Sequence, residues 1–203
     1  MALMIPDFIH KDCRSNAERK LFDRFKTELS DNYIVLHSYG ISRHHKKVSS
    51  EIDFIILSPR GILCIEVKGG RIDYDRGVWY FTDRFGEMYA KKESPFEQVR
   101  SNMFALRRSI FSRFGSDSVY TRIILGDSVF FTDVDFHIES PEWDLNRLID
   151  NNVLNNNLEK IVESQFDYSE KEIRRLKNIN HFAELSDLFR QKAVKTNIHH
   201  FFP

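Results

Sequence analysis

Ala17, Leu21, Phe25 and Leu29 recur every four residues and draw a single apolar stripe, with Ser15 standing where a helix cap belongs. This spacing predicts a first helix from Ser15 to about Leu29. The Ile-Val-Leu content of Tyr33–Tyr39 predicts a strand, and Arg43–Lys47 (Arg-His-His-Lys-Lys) an exposed basic loop. Two further strands are expected over about Glu51–Ser58 and Ile62–Lys68. Between them, Ser58-Pro59-Arg60-Gly61 has Pro and Gly at the second and fourth positions of a type I turn, so the pair reads as a hairpin. Both strands are almost continuously apolar (Ile52, Phe54 to Leu57, then Ile62, Leu63, Ile65 and Val67), the pattern of strands buried on both faces.

Short strands are predicted at Arg71–Tyr74, Val78–Thr82 and Met88–Lys91, separated by Gly-containing turns. A second helix opens at Ser94, with Pro95 at its first position and Glu97 completing a capping box. Phe96, Val99, Met103, Leu106 and Ile110 give it a continuous buried face. Strands are expected at Val119–Leu125 and Val129–Thr132. The asparagines at 151, 152, 155, 156 and 157 read as a loop or linker. From about Leu145 the pattern turns helical, with a capping box at Ser169 and Glu172 opening a helix to about Lys192. The fold class is therefore α/β, a mixed sheet with helices against it and a helical extension at the C-terminal end.

Composition narrows the function classes. The 203 residues carry 30 basic and 30 acidic side chains, so the chain is not a strongly basic nucleic-acid binder overall. The charges are uneven, however. Residues 1–122 hold 21 basic against 16 acidic side chains, and residues 123–172 only 3 against 12. A basic first part facing a polyanion explains this, as does chance clustering on solvated faces. No stretch approaches the length of an apolar membrane span, and Met1–Asn16 does not read as a signal peptide. Cys13 and Cys64 lie far apart without CxxC or Cys/His spacing, so neither a disulfide framework nor a zinc site is expected, and a reducing, cytoplasmic setting is.

The chemistry concentrates on the hairpin. If Pro59 and Arg60 form its turn, opposed residue numbers sum to 119, which sets Asp53 across from Glu66 and Glu51 across from Lys68. Opposed carboxylates destabilise a sheet unless something compensates, and a divalent cation bridging hard oxygen ligands would do so. Glu66 and Lys68, two apart on one strand, share a face. An ion pair of Lys68 with Glu66 or Glu51 at the sheet margin is the competing account.

Asp53-Phe54-Ile55-Ile56-Leu57, the Pro59–Gly61 turn and Ile65-Glu66-Val67-Lys68 resemble the core of the PD-(D/E)xK nucleases. Glu51-Ile52-Asp53, Gly61-Ile62, Glu66-Val67-Lys68-Gly69-Gly70, Trp79 and Ser94-Pro95-Phe96-Glu97-Gln98 are similar, more narrowly, to the nuclease-related domain (NERD) family over roughly residues 15–132. The resemblance implies a restriction-endonuclease-like sheet flanked by helices and a hydrolase that cleaves nucleic acid, more readily DNA than RNA, with Mg2+ or Mn2+. It implies catalytic roles for Glu18, Asp53, Glu66, Lys68 and Gln98, with Asp53, Glu66 and Glu18 holding the metal. Glu18 also fits a capping box with Ser15, and Gln98 also fits a solvated first-turn position.

Arg43, Lys46 and Lys47 in the basic loop, with Arg100 and Arg107 in an acid-free stretch, are candidate phosphate contacts. His44 and His45 are adjacent and flanked by cations, which disfavours a metal. The resemblance places the nuclease domain in residues 1–136 and leaves 137–203 as an acidic, mainly helical extension, a candidate contact for a second copy or a protein partner. Two functions follow: a metal-dependent nuclease, or a catalytically idle module that keeps the fold to bind nucleic acid or a partner. No membrane association is expected.

Overall fold

The computed structural model describes residues 1–44 and 47–178, except for the side chains of 41–50 and 176–178. Among these residues the strands are β1 (Leu3–Ile5), β2 (Ile34–His44), β3 (Lys47–Ser58), β4 (Gly61–Lys68), β5 (Arg71–Asp75), β6 (Val78–Thr82), β7 (Met88–Lys91), β8 (Ile124–Phe131) and β9 (Leu148–Ile149). The helices are α1 (Asn16–Glu28), α2 (Pro95–Phe114), α3 (Asn151–Leu154) and α4 (Leu158–Asn178). A six-stranded mixed sheet runs in the order β1-β2-β3-β4-β8-β9, and β5-β6-β7 form a separate antiparallel sheet. The mixed α/β fold expected from the chain is the one found.

The β3–β4 hairpin lies at the centre. Its ladder runs from Ser58↔Gly61 to Phe54↔Ile65, in the register set by the Pro59-Arg60 turn. β8 then pairs parallel to β4 along its whole length. Both faces of this pair are covered, which is why the strands are continuously apolar. Phe54, Ile56, Leu63, Ile65 and Phe130 pack against Leu21 and Phe25 of α1 and Leu158, Val162 and Phe166 of α4. Ile55, Cys64, Val129 and Phe131 pack on the other side with Phe96, Val99 and Met103 of α2 and with Trp79 and Phe81 of the small sheet.

Both expected helix caps form. Ser15 accepts the Glu18 amide at the start of α1, and Ser94 and Glu97 close a reciprocal capping box on α2. Several expectations are corrected. Arg43, His44 and Lys47 lie in β2 and β3, not in a loop; Lys46 and His45 lie outside the described residues. Val119–Arg122 is a 3-10 turn, and a single strand follows at Ile124–Phe131. The asparagine cluster is not a linker: Asp150 caps α3, and the Asn157 carboxamide oxygen accepts the Lys160 amide in the first turn of α4.

The Ser169–Glu172 pair opens no helix. Ser169 is buried inside α4, where its hydroxyl donates to the Gln165 carbonyl at 2.8 Å. The rest of the helix expected to Lys192 lies outside the described residues. Beyond residue 136, β9 extends the central sheet and α4 packs in one core cluster with α1.

Candidate active site

The β3–β4 ladder stops at Phe54↔Ile65, so Asp53 and Glu66 are the next opposed pair just where the strands part. There a side chain takes over from the ladder: Asp53 Oδ2 accepts the Val67 backbone amide at 2.7 Å. Strand alternation sets Glu66 and Lys68 on the same side of β4 as Cys64, the side of α2 and the small sheet. Glu66 is only 1% exposed, and Lys68 Nζ is ion-paired with its Oε1. The competing ion pair at the sheet margin is thus present with Glu66. The pairing of Lys68 with Glu51 is not: Glu51 sits across from Gly40 of β2 and accepts the Ser38 hydroxyl.

The glycines after Lys68 draw α1 to this spot. A Cβ at Gly69 would stand 2.8 Å from Ala17 Cβ, so only glycine lets the start of α1 close on the end of β4. Gly70 has φ +77°, and a Cβ there would meet the Thr82 carbonyl oxygen at 2.2 Å. Its amide donates to Asp133, which also holds Lys20 of α1 at 2.7 Å. Glu18, on the first turn of α1, is thereby brought near the hairpin acids. It does not complete the capping box with Ser15. Its Oε2 instead meets His37 Nε2 of β2 at 2.9 Å and the Cys13 thiol at 3.7 Å.

The electrostatics follow from burial. Burial and the Glu66 charge push Asp53 well above the ordinary carboxylate range; Glu18 adds to the rise, while Lys68 and the Val67 amide oppose it. Burial also raises Glu66, against the pull of Lys68 and, from β7, Lys91. Burial alone would lower Lys68, but Glu66 and Asp53 hold it above the ordinary lysine value. Burial would raise Glu18, but the hydrogen bond from His37, with help from Ser15, keeps it low.

Whether these residues suit a divalent cation can be judged from the polar atoms left over. Glu66 Oε2 is buried and has no hydrogen-bond partner, at the point where Asp53 opposes it. An orphaned carboxylate oxygen in a buried, acid-rich spot is costly, and a cation accounts for it. The donor set of hard carboxylate oxygens fits magnesium or manganese.

Gln98 is half-buried on the first turn of α2, and no hydrogen bond joins its side chain to Asp53, Glu66 or Lys68. Arg100 pairs at 3.7 Å with the buried Asp127, which also binds Arg147. Arg107 is half-buried near the Phe111 ring, and burial lowers its pKa. The side chains of Arg43, Lys46 and Lys47 lie outside the described residues.

Four neighbours of the cluster escaped the sequence reading. His37 sits between Phe22 and Phe54, and Cys13 sits beside Glu18. From the small sheet, Phe81 lies 6.0 Å from Lys68 Nζ, and Tyr89 stacks on Phe81. A lone histidine in a strand carries no spacing signal, and folding alone brings the small sheet to the hairpin.

No curated protein and no solved structure matches the chain. The nuclease-related domain model matches residues 14–126, more than half of the sequence and the stretch holding α1, the hairpin acids, Lys68 and the whole of α2. Among the described residues, no helix is long and apolar enough to cross a membrane. The match agrees with the mixed α/β fold, and the chain belongs to the nuclease-related domain (NERD) family.

Proposed function

We propose that the protein is a metal-dependent nuclease that hydrolyses phosphodiester bonds of nucleic acid, with DNA as its substrate. The observation that carries this reading is the unpartnered, buried Oε2 of Glu66, on the residue that follows the last ladder pair opposite Asp53, beside a charged Lys68. Asp53 and Glu66 would hold Mg2+ or Mn2+, with Glu18 adding its charge. Bound there, the ion would polarise the scissile phosphate and lower the pKa of a water. Lys68, kept protonated by two carboxylates, would move from Glu66 towards a phosphate oxygen and stabilise the charge that grows on it. Gln98, in the first turn of α2, would orient substrate. Arg43, Lys46, Lys47, Arg100 and Arg107 are the proposed phosphate contacts; Arg100 would have to exchange Asp127 for a phosphate. The free thiols of Cys13 and Cys64 suit a reducing, cytoplasmic setting.

One observation favours the idle binding module. The Lys68–Glu66 pair already neutralises one of the two acids, which a fold kept for binding alone would also do. Incubation with plasmid, linear duplex, single-stranded DNA and RNA in Mg2+, Mn2+ or EDTA separates the two. Cleavage that requires the ion and is lost in Glu66→Gln supports the nuclease. Binding of these nucleic acids without cleavage, and a melting temperature indifferent to Mg2+, would establish the idle module.

A further inference from the structure

A second set of donor atoms converges beside the hairpin. Cys13 Sγ, a carboxylate oxygen of Glu18 and a ring nitrogen of His37 all lie within 4.8 Å of one another. We infer that Cys13, Glu18 and His37 form a separate binding site for a transition ion of the zinc class, with one coordination position left to water. This inference needs neither Asp53 nor Glu66 as a ligand, and it shares only Glu18 with the nuclease reading.

The geometry is close to what such an ion requires. Ligand atoms around a tetrahedral ion, each at about 2.0–2.3 Å from it, stand roughly 3.5 Å apart. Here Glu18 Oε2 is 3.7 Å from Cys13 Sγ and 2.9 Å from His37 Nε2. Without an ion, the three donor groups meet through hydrogen bonds centred on one carboxylate oxygen. Glu18 Oε2 accepts from His37 Nε2, and the Cys13 thiol lies within reach of both that oxygen and the Ser15 carbonyl, at 3.8 Å. A cation can take their place: the Cys13 proton leaves to solvent, the His37 proton moves to Nδ1, and thiolate, imidazole and carboxylate become the ligands. Sulfur and nitrogen donors select this ion class over magnesium.

The donors are also held in place, as a built site demands. The loop carrying Cys13 is clamped by the Arg19 guanidinium, which donates to the carbonyls of His10, Lys11 and Cys13. The His37 ring is fixed between Phe22, at 5.7 Å between centroids, and Phe54, at 4.8 Å. Glu18 is anchored through the Ser15 cap of α1. An ion there would tie the N-terminal loop, α1 and β2 together next to the hairpin acids.

Cobalt titration of the reduced, full-length protein tests this, because a thiolate bound to Co2+ gives a near-ultraviolet charge-transfer band that oxygen ligands cannot give. One equivalent of Co2+ should produce the band, and one equivalent of Zn2+ should abolish it. Cys13→Ser and His37→Asn, with folding checked by circular dichroism, should lose it; Cys64→Ser should keep it. Glu66→Gln should keep the band while losing any Mg2+-dependent cleavage, so failure of one reading leaves the other standing. Absence of a thiolate band from the folded wild-type protein, or its survival in Cys13→Ser, overturns the site.

Discussion

Asp53 accepts the Val67 amide at 2.7 Å one step beyond the last ladder pair of the hairpin, so this acid closes a gap in the sheet as well as carrying charge. The two roles can be separated. In Asp53→Asn the carboxamide oxygen still accepts the amide while the negative charge is gone. In Asp53→Ala the Val67 amide is left without a partner, at a cost of about 1–3 kcal/mol. Both variants should lose metal-dependent cleavage, and the alanine variant should be the less stable by roughly that amount in urea unfolding. Equal stability of the two would mean the amide is satisfied in another way.

Glu66 offers a contrast. Its Oε1 is paired with Lys68 and its Oε2 with nothing, so removing its charge relieves burial and repulsion at once. Asp53 and Glu66 are both raised in the folded state, so folding favours their protonated forms. That contribution is fully present below the ordinary carboxylate values and is lost as pH rises through the elevated folded ones. In EDTA the protein should therefore lose stability as pH climbs from about 4 towards neutrality, more steeply than Glu66→Gln. Saturating Mg2+ should restore stability towards the upper end of that range, because it binds the ionised forms of the acids. Thermal melts across the range with and without Mg2+ would show this, and identical slopes for wild type and Glu66→Gln would remove Glu66 from the account.

Lys68 tests the division of labour. It is held charged by Glu66 and Asp53 and competes with a cation for Glu66. Lys68→Met keeps the packing of the aliphatic stem near Phe81 and removes the charge. Turnover should fall by at least about 100-fold, the scale on which a single electrostatic contact to a transition state acts. Mg2+ affinity, measured by calorimetry, should hold or tighten. Weaker binding by the folded variant would mean that Lys68 supports the metal.

How far the chain could be read depended on the range of the forces involved. The hairpin register followed from Pro59, Arg60 and Gly61, because a tight turn fixes pairing locally. The caps at Ser15 and Ser94 are local as well. What escaped the reading was set by tertiary contact. Ser169 and Glu172 carry the letters of a capping box, yet Leu158, Ile161, Val162 and Phe166 pull the preceding turns into the core, so the helix runs through them. Val119–Arg122 has strand-like composition, but the parallel partner β4 begins to pair only at Ile124. At the candidate site the acids and lysine of one hairpin were legible as neighbours. His37, Cys13 and Tyr89 reach the cluster from three other segments, and no spacing in the sequence links them to it.

The segment after residue 136 gives the sharpest test of how the molecule is built. Its apolar stripe from Ile173 to Leu188 needs cover from this protein's own core or from a second chain, and most of that stripe lies outside the described residues. The preceding turns of α4 face inward: Leu158, Val162 and Phe166 are fully buried against α1 and the central sheet. Arg60, in the hairpin turn, reaches across to Glu163 at 2.5 Å and Asp167 at 2.6 Å, and Arg24 of α1 donates to the Leu154 carbonyl at 2.6 Å. A chain ending at residue 136 would expose Phe25, Phe54 and Phe130, lose β9 from the sheet edge, and leave both arginines without these partners. It should be unfolded or aggregated, with no metal-dependent stabilisation. In the full-length protein, Phe166→Ala should cost about 3–5 kcal/mol, the range for emptying a buried aromatic site, measured by urea unfolding. A residue 1–136 fragment that folds and binds Mg2+ like the whole chain would show that α4 is an accessory, and that the acids of the hairpin need no support from behind the sheet.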